Sequence, residues 1–454
     1  MIQRLFLAGA LLAWADPEAD KPNVVIIFAD DLGYGDLGCY GHPTIRTPQL
    51  DRMALEGMRF TDFYSAAPVC TPSRAALLTG RYAVRSGMAS EKRRVLFPNS
   101  AGGLPDGEIT IAEGLKKSGY VTAAIGKWHE GHLPQFLPPK HGFDSWFGLP
   151  YSNDMDGVPG AKDREPRWTA NNVPLMRNEE IVERPADQTT LTRRYTEEAV
   201  KIIKANKEKP FFLYLAHTMP HVPLYASEAF AGKSSRGVYG DVVEELDWSV
   251  GRVLEALRAE GLEKKTLVVF TSDNGPWLIK NENGGSAGLL REGKGSTWEG
   301  GMREPGIFWW PGKIAAGSVA RDIACTVDLL PTIFKLAGAE VPADRPIDGL
   351  DLSPLLLGKG PGARQSMIYY RDTTVFAVRK GPWKMHVTTQ SSYGADGPKK
   401  HDPPLLFNLT IDPSERFDVA AKHPDVIADL KKLLADHEAT VTPVENQLDR
   451  NLPK

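Results

Sequence analysis

Four short apolar runs constrain what this chain can fold into. Residues 23–29, 121–126, 210–216 and 266–271 are apolar almost throughout, the mark of strands covered on both faces. Helical patterns lie between them, at 48–56, 109–118, 191–206 and 241–260. The last places Val243, Leu246, Val250, Val253, Leu254 and Leu257 at three-and-four spacing, with Gly261 as its stop. This alternation predicts an α/β protein with a mainly parallel sheet and helices on both faces. Each run also ends abruptly in polar residues: Asp30-Asp31, Lys127-Trp128-His129, His217 to His221, and Ser272-Asp273-Asn274-Gly275. Ligand sites in such sheets form beyond the carboxyl ends of the strands. The four clusters are therefore expected to converge.

A strand over 59–66 leads directly into Cys70-Thr71-Pro72-Ser73-Arg74-Ala75-Ala76-Leu77-Leu78-Thr79-Gly80-Arg81. Thr71 reads as an N-cap, Pro72 as the first helical position and Gly80 as the stop. Cys70 then sits at the mouth of a buried helix, where free N–H groups favour an anion, with Arg74 pointing back toward it. Taken alone, Cys70 reads as a small buried hydrophobe or as a low-pKa thiolate.

At 454 residues the chain has room for two or three domains, and its net charge of −3 gives no basic field for nucleic acid or an anionic membrane. Arg4, the apolar run 5–14 and Ala13-Trp14-Ala15 predict a secretory signal peptide within residues 1–20, and export to the periplasm or beyond. No stretch is long enough to span a bilayer. With three cysteines, Cys39 and Cys325 are the one pair left for a disulfide if Cys70 is consumed chemically.

Residues 131–187, rich in Pro, Gly and Asn, read as long active-site loops, and Lys294 lies in the glycine-flanked loop 293–301. A strand over 307–310 and a helix over 328–337 follow, then a boundary at 354–362. Alternating stretches at 367–371, 374–379 and 383–388 suit a small antiparallel sheet, and 424–437 a final helix. The expected division is a leader at 1–20, a catalytic domain at 21–360 and a smaller domain at 361–454.

Asp30, Asp31, Asp273 and Asn274 offer oxygen ligands alone, which suits Ca²⁺ or Mg²⁺ rather than zinc. Arg74, Lys127, His129, His221 and Lys294 supply positive or protonatable groups. Together with a divalent cation they describe a pocket for a tetrahedral anion. His217 competes with His221, but Pro220 and Pro223 restrict the loop around His221 and favour it.

The spacing Cys-x-Pro-x-Arg followed by Leu-Thr-Gly-Arg resembles the type I sulfatase signature. So do Asp30-Asp31-Leu32-Gly33-Tyr34-Gly35-Asp36, Gly126-Lys127-Trp128-His129, Pro150-Tyr151-Ser152, Asp273-Asn274-Gly275, Gly293-Lys294-Gly295 and His401-Asp402-Pro403-Pro404. The likeness is to the arylsulfatase A-like branch, whose lysosomal members are far richer in cysteine. It implies an alkaline-phosphatase-like fold and hydrolysis of sulfate monoesters, of aryl alcohols or carbohydrates. It further implies that a formylglycine-generating or maturase enzyme converts Cys70 to formylglycine (3-oxoalanine).

By the same resemblance Asp30, Asp31, Asp273 and Asn274 hold Ca²⁺, with Mg²⁺ as the substitute. One oxygen of the hydrated aldehyde attacks sulfur, and the other expels sulfate. Arg74 orients that group, His129 is the base for elimination, and Lys127 neutralises charge. Lys294 and His221 hold the sulfate, with protonated His221 donating to the leaving group. Ser152 and His401 join the substrate-binding set, and Lys384 is placed beside His401 by analogy. Two other readings stand beside this one. The first is a phosphomonoesterase or phosphodiesterase of the same superfamily, which would use Ser or Thr and two zinc ions. The second is a non-catalytic protein binding sulfated glycans, should Cys70 stay unmodified.

Overall fold

A computed structural model describes residues 21–155, 172–393 and 396–453. The expected leader at 1–20 lies outside these residues, as does 156–171 of the long loop segment. The chain opens with β1 (Asn23–Ala29), α1 (Pro48–Glu56), β2 (Met58–Tyr64), α2 (Cys70–Thr79), α3 (Ile111–Lys117) and β3 (Val121–Gly126). Three short strands follow, β4 (Ser145–Gly148), β5 (Leu175–Arg177) and β6 (Glu180–Glu183), then α4 (Leu191–Ala205), β7 (Phe211–Ala216), α5 (Gly237–Ala259) and β8 (Thr266–Ser272). Next come α6 (Glu299–Met302), β9 (Arg303–Trp309), β10 (Ser318–Ala320), β11 (Ala324–Cys325), α7 (Leu329–Ala337) and α8 (Ser353–Leu356).

These strands make one sheet in the order β10-β2-β9-β8-β1-β7-β3-β4-β5-β6, with β11 also on β2. The centre is parallel: Ile26 of β1 stands opposite Tyr214 of β7 and Val269 of β8. Its residues alternate between two cores, as a doubly covered strand requires. Val25 and Ile27 pack with Leu50, Tyr195, Ile203 and Leu246 of α1, α4 and α5. Val24, Ile26 and Phe28 pack with Leu77, Leu115 and Phe334 of α2, α3 and α7. Strand β9 begins at Arg303, four residues before its expected start, and runs antiparallel to both β2 and β8. The segment 131–187 is not loop throughout, because β4 to β6 extend the sheet there.

A second, antiparallel sheet has the order β12 (Ser366–Arg371), β13 (Thr374–Lys380), β14 (Trp383–Thr389), β15 (Lys399–Asn408), with α9 (Pro424–Glu438) against it. Strand β15 was hidden in the sequence by Pro403 and Pro404, and it lies at the sheet edge, where proline is tolerated. The cysteines are free thiols, so Cys39 and Cys325 do not pair. Among the described residues no helix is long and apolar enough to cross a membrane.

The two sheets meet at Glu299. Its Oε1 accepts from Lys384 Nζ (2.9 Å) and the Tyr369 hydroxyl (3.0 Å), and its Oε2 from the Tyr64 hydroxyl (2.6 Å) and Arg303 Nη1 (3.3 Å). Lys384 also donates to the Thr297 carbonyl (2.8 Å), and Glu415 accepts from the Glu299 amide (2.7 Å). Lys384 is fully buried and is thus spent in this junction. Burial pushes the Glu299 carboxyl up, but Lys384, Arg303 and Arg379 outweigh it and hold it well below its ordinary range. Glu299→Gln strands these cations and is expected to cost about 3–5 kcal/mol near pH 7. Because the folded value is depressed, the carboxylate's contribution is complete above the ordinary value of 4.5 and is lost as pH falls. The stability gap between wild type and variant in urea unfolding should therefore hold steady above about pH 5 and narrow from there to about pH 3. A gap independent of pH would contradict the assignment.

Candidate active site

The carboxyl ends of β1, β3, β7 and β8 deliver their polar residues to one place. At the end of β1, the Asp30 amide donates to the Met219 carbonyl (3.2 Å) and the Asp31 amide to Asp273 Oδ1 (3.1 Å). Asp31 adopts φ 66°, a left-handed turn that aspartate tolerates better than most residues. Strand β3 ends at Gly126 with φ 99°, where an added Cβ would lie 1.7 Å from the Ala216 carbonyl oxygen. Glycine alone permits that approach. The Lys127 amide then bonds the same carbonyl (2.8 Å), which fixes the lysine at the strand end.

Helix α2 begins at Cys70 itself, with Val69 as the N-cap and no side-chain cap. Thr71 is therefore inside the helix. Its hydroxyl donates to the His129 carbonyl (3.0 Å) and accepts from the Leu96 amide (3.2 Å), so it is unavailable for capping. Gly80 ends the helix at φ 68°, as the sequence predicts. Cys70 Sγ lies 3.6 Å from Asp30 Oδ1 and 3.4 Å from Lys294 Nζ.

Buried cations face buried carboxylates around that sulfur. The Arg74 fork donates to Asp273 Oδ2 through Nε (3.0 Å) and Nη2 (2.8 Å), and Nη2 reaches Asp30 Oδ1 at 3.5 Å. Lys127 Nζ is 2.7 Å from Asp30 Oδ2 and 3.3 Å from Ser152 Oγ. Lys294 Nζ bonds both oxygens of Asp31, at 2.7 and 2.9 Å. His221 Nε2 stands 3.6 Å from Asp31 Oδ2.

Burial raises Asp30, but Lys127, Arg74 and Lys294 outweigh it and hold the carboxyl below its ordinary value. Asp31 goes the other way: burial, with Asp30 and Asp273 beside it, pushes it up to about 7 against the pull of Lys294. Burial also drives the Cys70 thiol well up, so the thiolate reading of this cysteine fails.

Both histidines are neutral. His129 Nε2 faces the Leu96 carbonyl (2.8 Å), which only accepts, so Nε2 carries the hydrogen and Nδ1 keeps its lone pair. That Nδ1 is buried without a partner. Burial, then Lys127, hold His129 well below its ordinary value. His221 Nδ1 faces the Val222 carbonyl (2.6 Å), and burial with Lys294 and Lys127 holds this ring down as well. Its expected proton for the leaving group is therefore not on Nε2 in the resting site.

The donor set fits a hard divalent cation. Asp30, Asp31, Asp273 and Asn274 present oxygen atoms, and Asn274 Oδ1 is buried with no partner. Asn274 Nδ2 meanwhile bonds Asp31 Oδ1 (2.7 Å), which holds the amide in this cluster. Cys70 and His221 also lie within reach of a site built on Asp30 and Asp31.

Above these residues opens a cavity of about 370 Å³, lined by Cys70, His129, Ser152, His221 and Lys294 among others. His401 is not among its lining residues; on β15 its Nε2 pairs with the Thr389 hydroxyl (2.8 Å). His217 is buried beside Ser249 (3.2 Å) and likewise lies outside the lining. Among the wall residues that the motifs did not reveal are Arg94, Trp277 and Tyr393. Trp277, four residues past Asp273, was legible as a strand-end aromatic; the other two come from distant loops.

The sulfatase family model matches residues 22–339, and the model for the C-terminal region of aryl-sulfatase matches 362–453. The chain is 44% identical to human arylsulfatase A, over 98% of this chain and 93% of that protein. It is 42% identical to mouse N-acetylgalactosamine-6-sulfatase, over 98% and 92%. Among solved structures, the PsFucS1 sulfatase from Pseudoalteromonas superposes with a TM-score of 0.85 at 30% identity, covering 94% of this chain and 92% of that one. With its alkaline-phosphatase-like fold and these matches over nearly its whole length, the chain belongs to the sulfatase family and is a sulfuric ester hydrolase.

Proposed function

We propose that the chain hydrolyses aryl or carbohydrate sulfate monoesters with a formylglycine made from Cys70 and a Ca²⁺ ion held by Asp30, Asp31, Asp273 and Asn274. The observation that carries this reading is the position of Cys70. It opens a buried helix between an acceptor, Asp30, and a donor, Lys294, at the floor of a cavity walled by cations. Its thiol is held protonated, which makes it a poor nucleophile as it stands. The hydrated aldehyde supplies two hydroxyls on one carbon, one to attack sulfur and one to eliminate sulfate. The cation supplies charge that draws a sulfate oxygen to the floor of the pocket.

The chain's own residues account for the rest. Arg74 fixes Asp30 and Asp273 by its fork, and so holds the floor in register with residue 70. Lys127, Lys294 and Ser152 surround the position of the sulfate oxygens and offset the charge that grows there. His129 Nδ1, with its free lone pair, takes the proton released in the elimination. An anionic substrate opposes the two lysines that hold His221 neutral. Once protonated at Nε2, His221 donates to the leaving oxygen.

Aryl and amino-sugar sulfates as substrates are supported by the named activities of the similar human and mouse proteins. Export, with a maturase acting beforehand, is supported by the pattern of Arg4 to Ala15. A catalytic portion through residue 360 and a smaller one from 361 complete the reading.

Mass spectrometry of the Cys70 peptide from the mature protein should show a loss of about 18 Da relative to the thiol. Cys70→Ala should lower 4-nitrophenyl sulfate turnover by at least about 10³-fold while leaving the melting temperature unchanged. Turnover within tenfold of wild type would contradict the nucleophile assignment. Chelation of divalent ions should abolish turnover and added Ca²⁺ restore it; full activity in excess chelator would remove the metal from the account.

A further inference from the structure

One wall of the cavity carries charge that sulfate hydrolysis leaves unused. From Lys294 the wall runs outward over two aromatic rings. Lys294 Nζ lies 4.6 Å from the Trp277 ring centroid, Trp277 lies 5.4 Å from Tyr393, and the Arg94 guanidinium lies 4.3 Å from Tyr393. Arg94 thus lies against Tyr393 in the wall of the same cavity, within the basic run Lys92-Arg93-Arg94. Its Nη1 is buried and has no hydrogen-bond partner.

A second arginine stands by. Arg371, at the end of β12, is 2% exposed. Its Nη1 donates to the Gly295 carbonyl and, at 3.4 Å, to the Ser391 carbonyl, which ties it to the loops bearing Lys294 and Tyr393. Its Nη2 is buried without a partner. Burial, then repulsion from Arg94, bring the Arg371 pKa down to about 10, so the two guanidiniums feel each other across this wall.

Acids stand near this charge, and Asp154 lines the same cavity. Asp372 lies 3.8 Å from Arg371 Nε, Glu91 is engaged by Thr373 and Thr374, and Asp396 by Ser391. Two buried guanidinium donors left unspent are costly unless a ligand uses them. A planar carboxylate or a sulfate matches such donors. Trp277 and Tyr393, half-buried in the cavity wall, offer aromatic surface that suits the C–H face of a sugar ring.

We propose that Arg94, backed by Arg371, forms a second anion subsite, and that the preferred substrate is a sulfated saccharide bearing a second acidic group, with its ring against Tyr393 and Trp277. The proposal rests on the sulfate-ester reading above and adds the chemistry of the leaving group. Arg94 and Arg371 are specificity residues here and take no part in bond breaking. The second acid is a uronate carboxylate or another sulfate; both present oxygens to the same donors.

The test is steady-state kinetics on the mature, Ca²⁺-loaded enzyme. The probes are glucosamine 6-sulfate, glucosamine 2-N,6-O-disulfate, a 6-sulfated glucosamine linked to a uronic acid, and 4-nitrophenyl sulfate. At least one doubly acidic saccharide should exceed the monosulfate in kcat/KM by about tenfold or more, and which one does so identifies the second acid. Arg94→Ala should reduce kcat/KM for that saccharide at least about tenfold more than for 4-nitrophenyl sulfate, chiefly through KM. Arg94→Lys should recover part of the loss. Equal rates on singly and doubly acidic saccharides, or equal losses on all substrates, would overturn the subsite. Should wild type fail on every sulfate ester, the reaction assignment falls instead. The subsite is then judged by calorimetric titration of the disulfate, which Arg94→Ala must weaken at least about tenfold; equal affinity would overturn it.

Discussion

Three carboxylates and three cations share one buried volume, and the rest of the molecule serves that balance. Asp30, Asp31 and Asp273 face Arg74, Lys127 and Lys294 at hydrogen-bonding distance, all of them buried. Isolating any one charge there would cost several kcal/mol, so the set persists as a unit or not at all. Its members balance in number, and both histidines are neutral. A divalent cation in such a cluster leaves a local positive excess, which is the condition for drawing in a sulfate ester.

Such a cluster needs a frame that does not yield. The central strands are covered on both faces, and their cores leave no slack at the strand ends. The loop bearing Lys294 has no strand beneath it, and the second sheet supplies the support. Lys384 holds the Thr297 carbonyl, Glu415 holds the Glu299 amide, Ser392 bonds the Lys294 carbonyl and Arg371 the Gly295 carbonyl. The carboxy-terminal sheet and its loops thus clamp the loop that bears Lys294, which gives that part of the chain a structural reason to pack beside the cavity.

Much of this was legible in the chain itself. The change from apolar run to acid, lysine or amide identified the ends of β1, β3, β7 and β8, because a buried strand tolerates such residues only where it stops. Cys70 and Arg74 followed from a contiguous signature, and Lys294 from a separate glycine-flanked loop. The failures have local causes. Thr71 resembled a cap, but its hydroxyl is claimed by His129 and Leu96. Two prolines masked β15, whose edge position makes them harmless. Lys384 looked like a substrate residue, yet it is consumed by Glu299 and Glu415. Arg94 and Tyr393 come together only through the packing of separate loops, so no spacing announces them.

The central claim is that four strand ends and one helix mouth build a single site for a cation and a sulfate. The most direct measurement is a crystal structure of the mature protein grown with Ca²⁺ and soaked in sulfate, with the ion located by anomalous scattering. The account predicts Ca²⁺ bound by oxygens of Asp30, Asp31, Asp273 and Asn274, and sulfate within hydrogen-bonding reach of Lys127, His221 and Lys294 beside residue 70. An ion held by other ligands, or sulfate bound away from residue 70 with this pocket left to water, would contradict it.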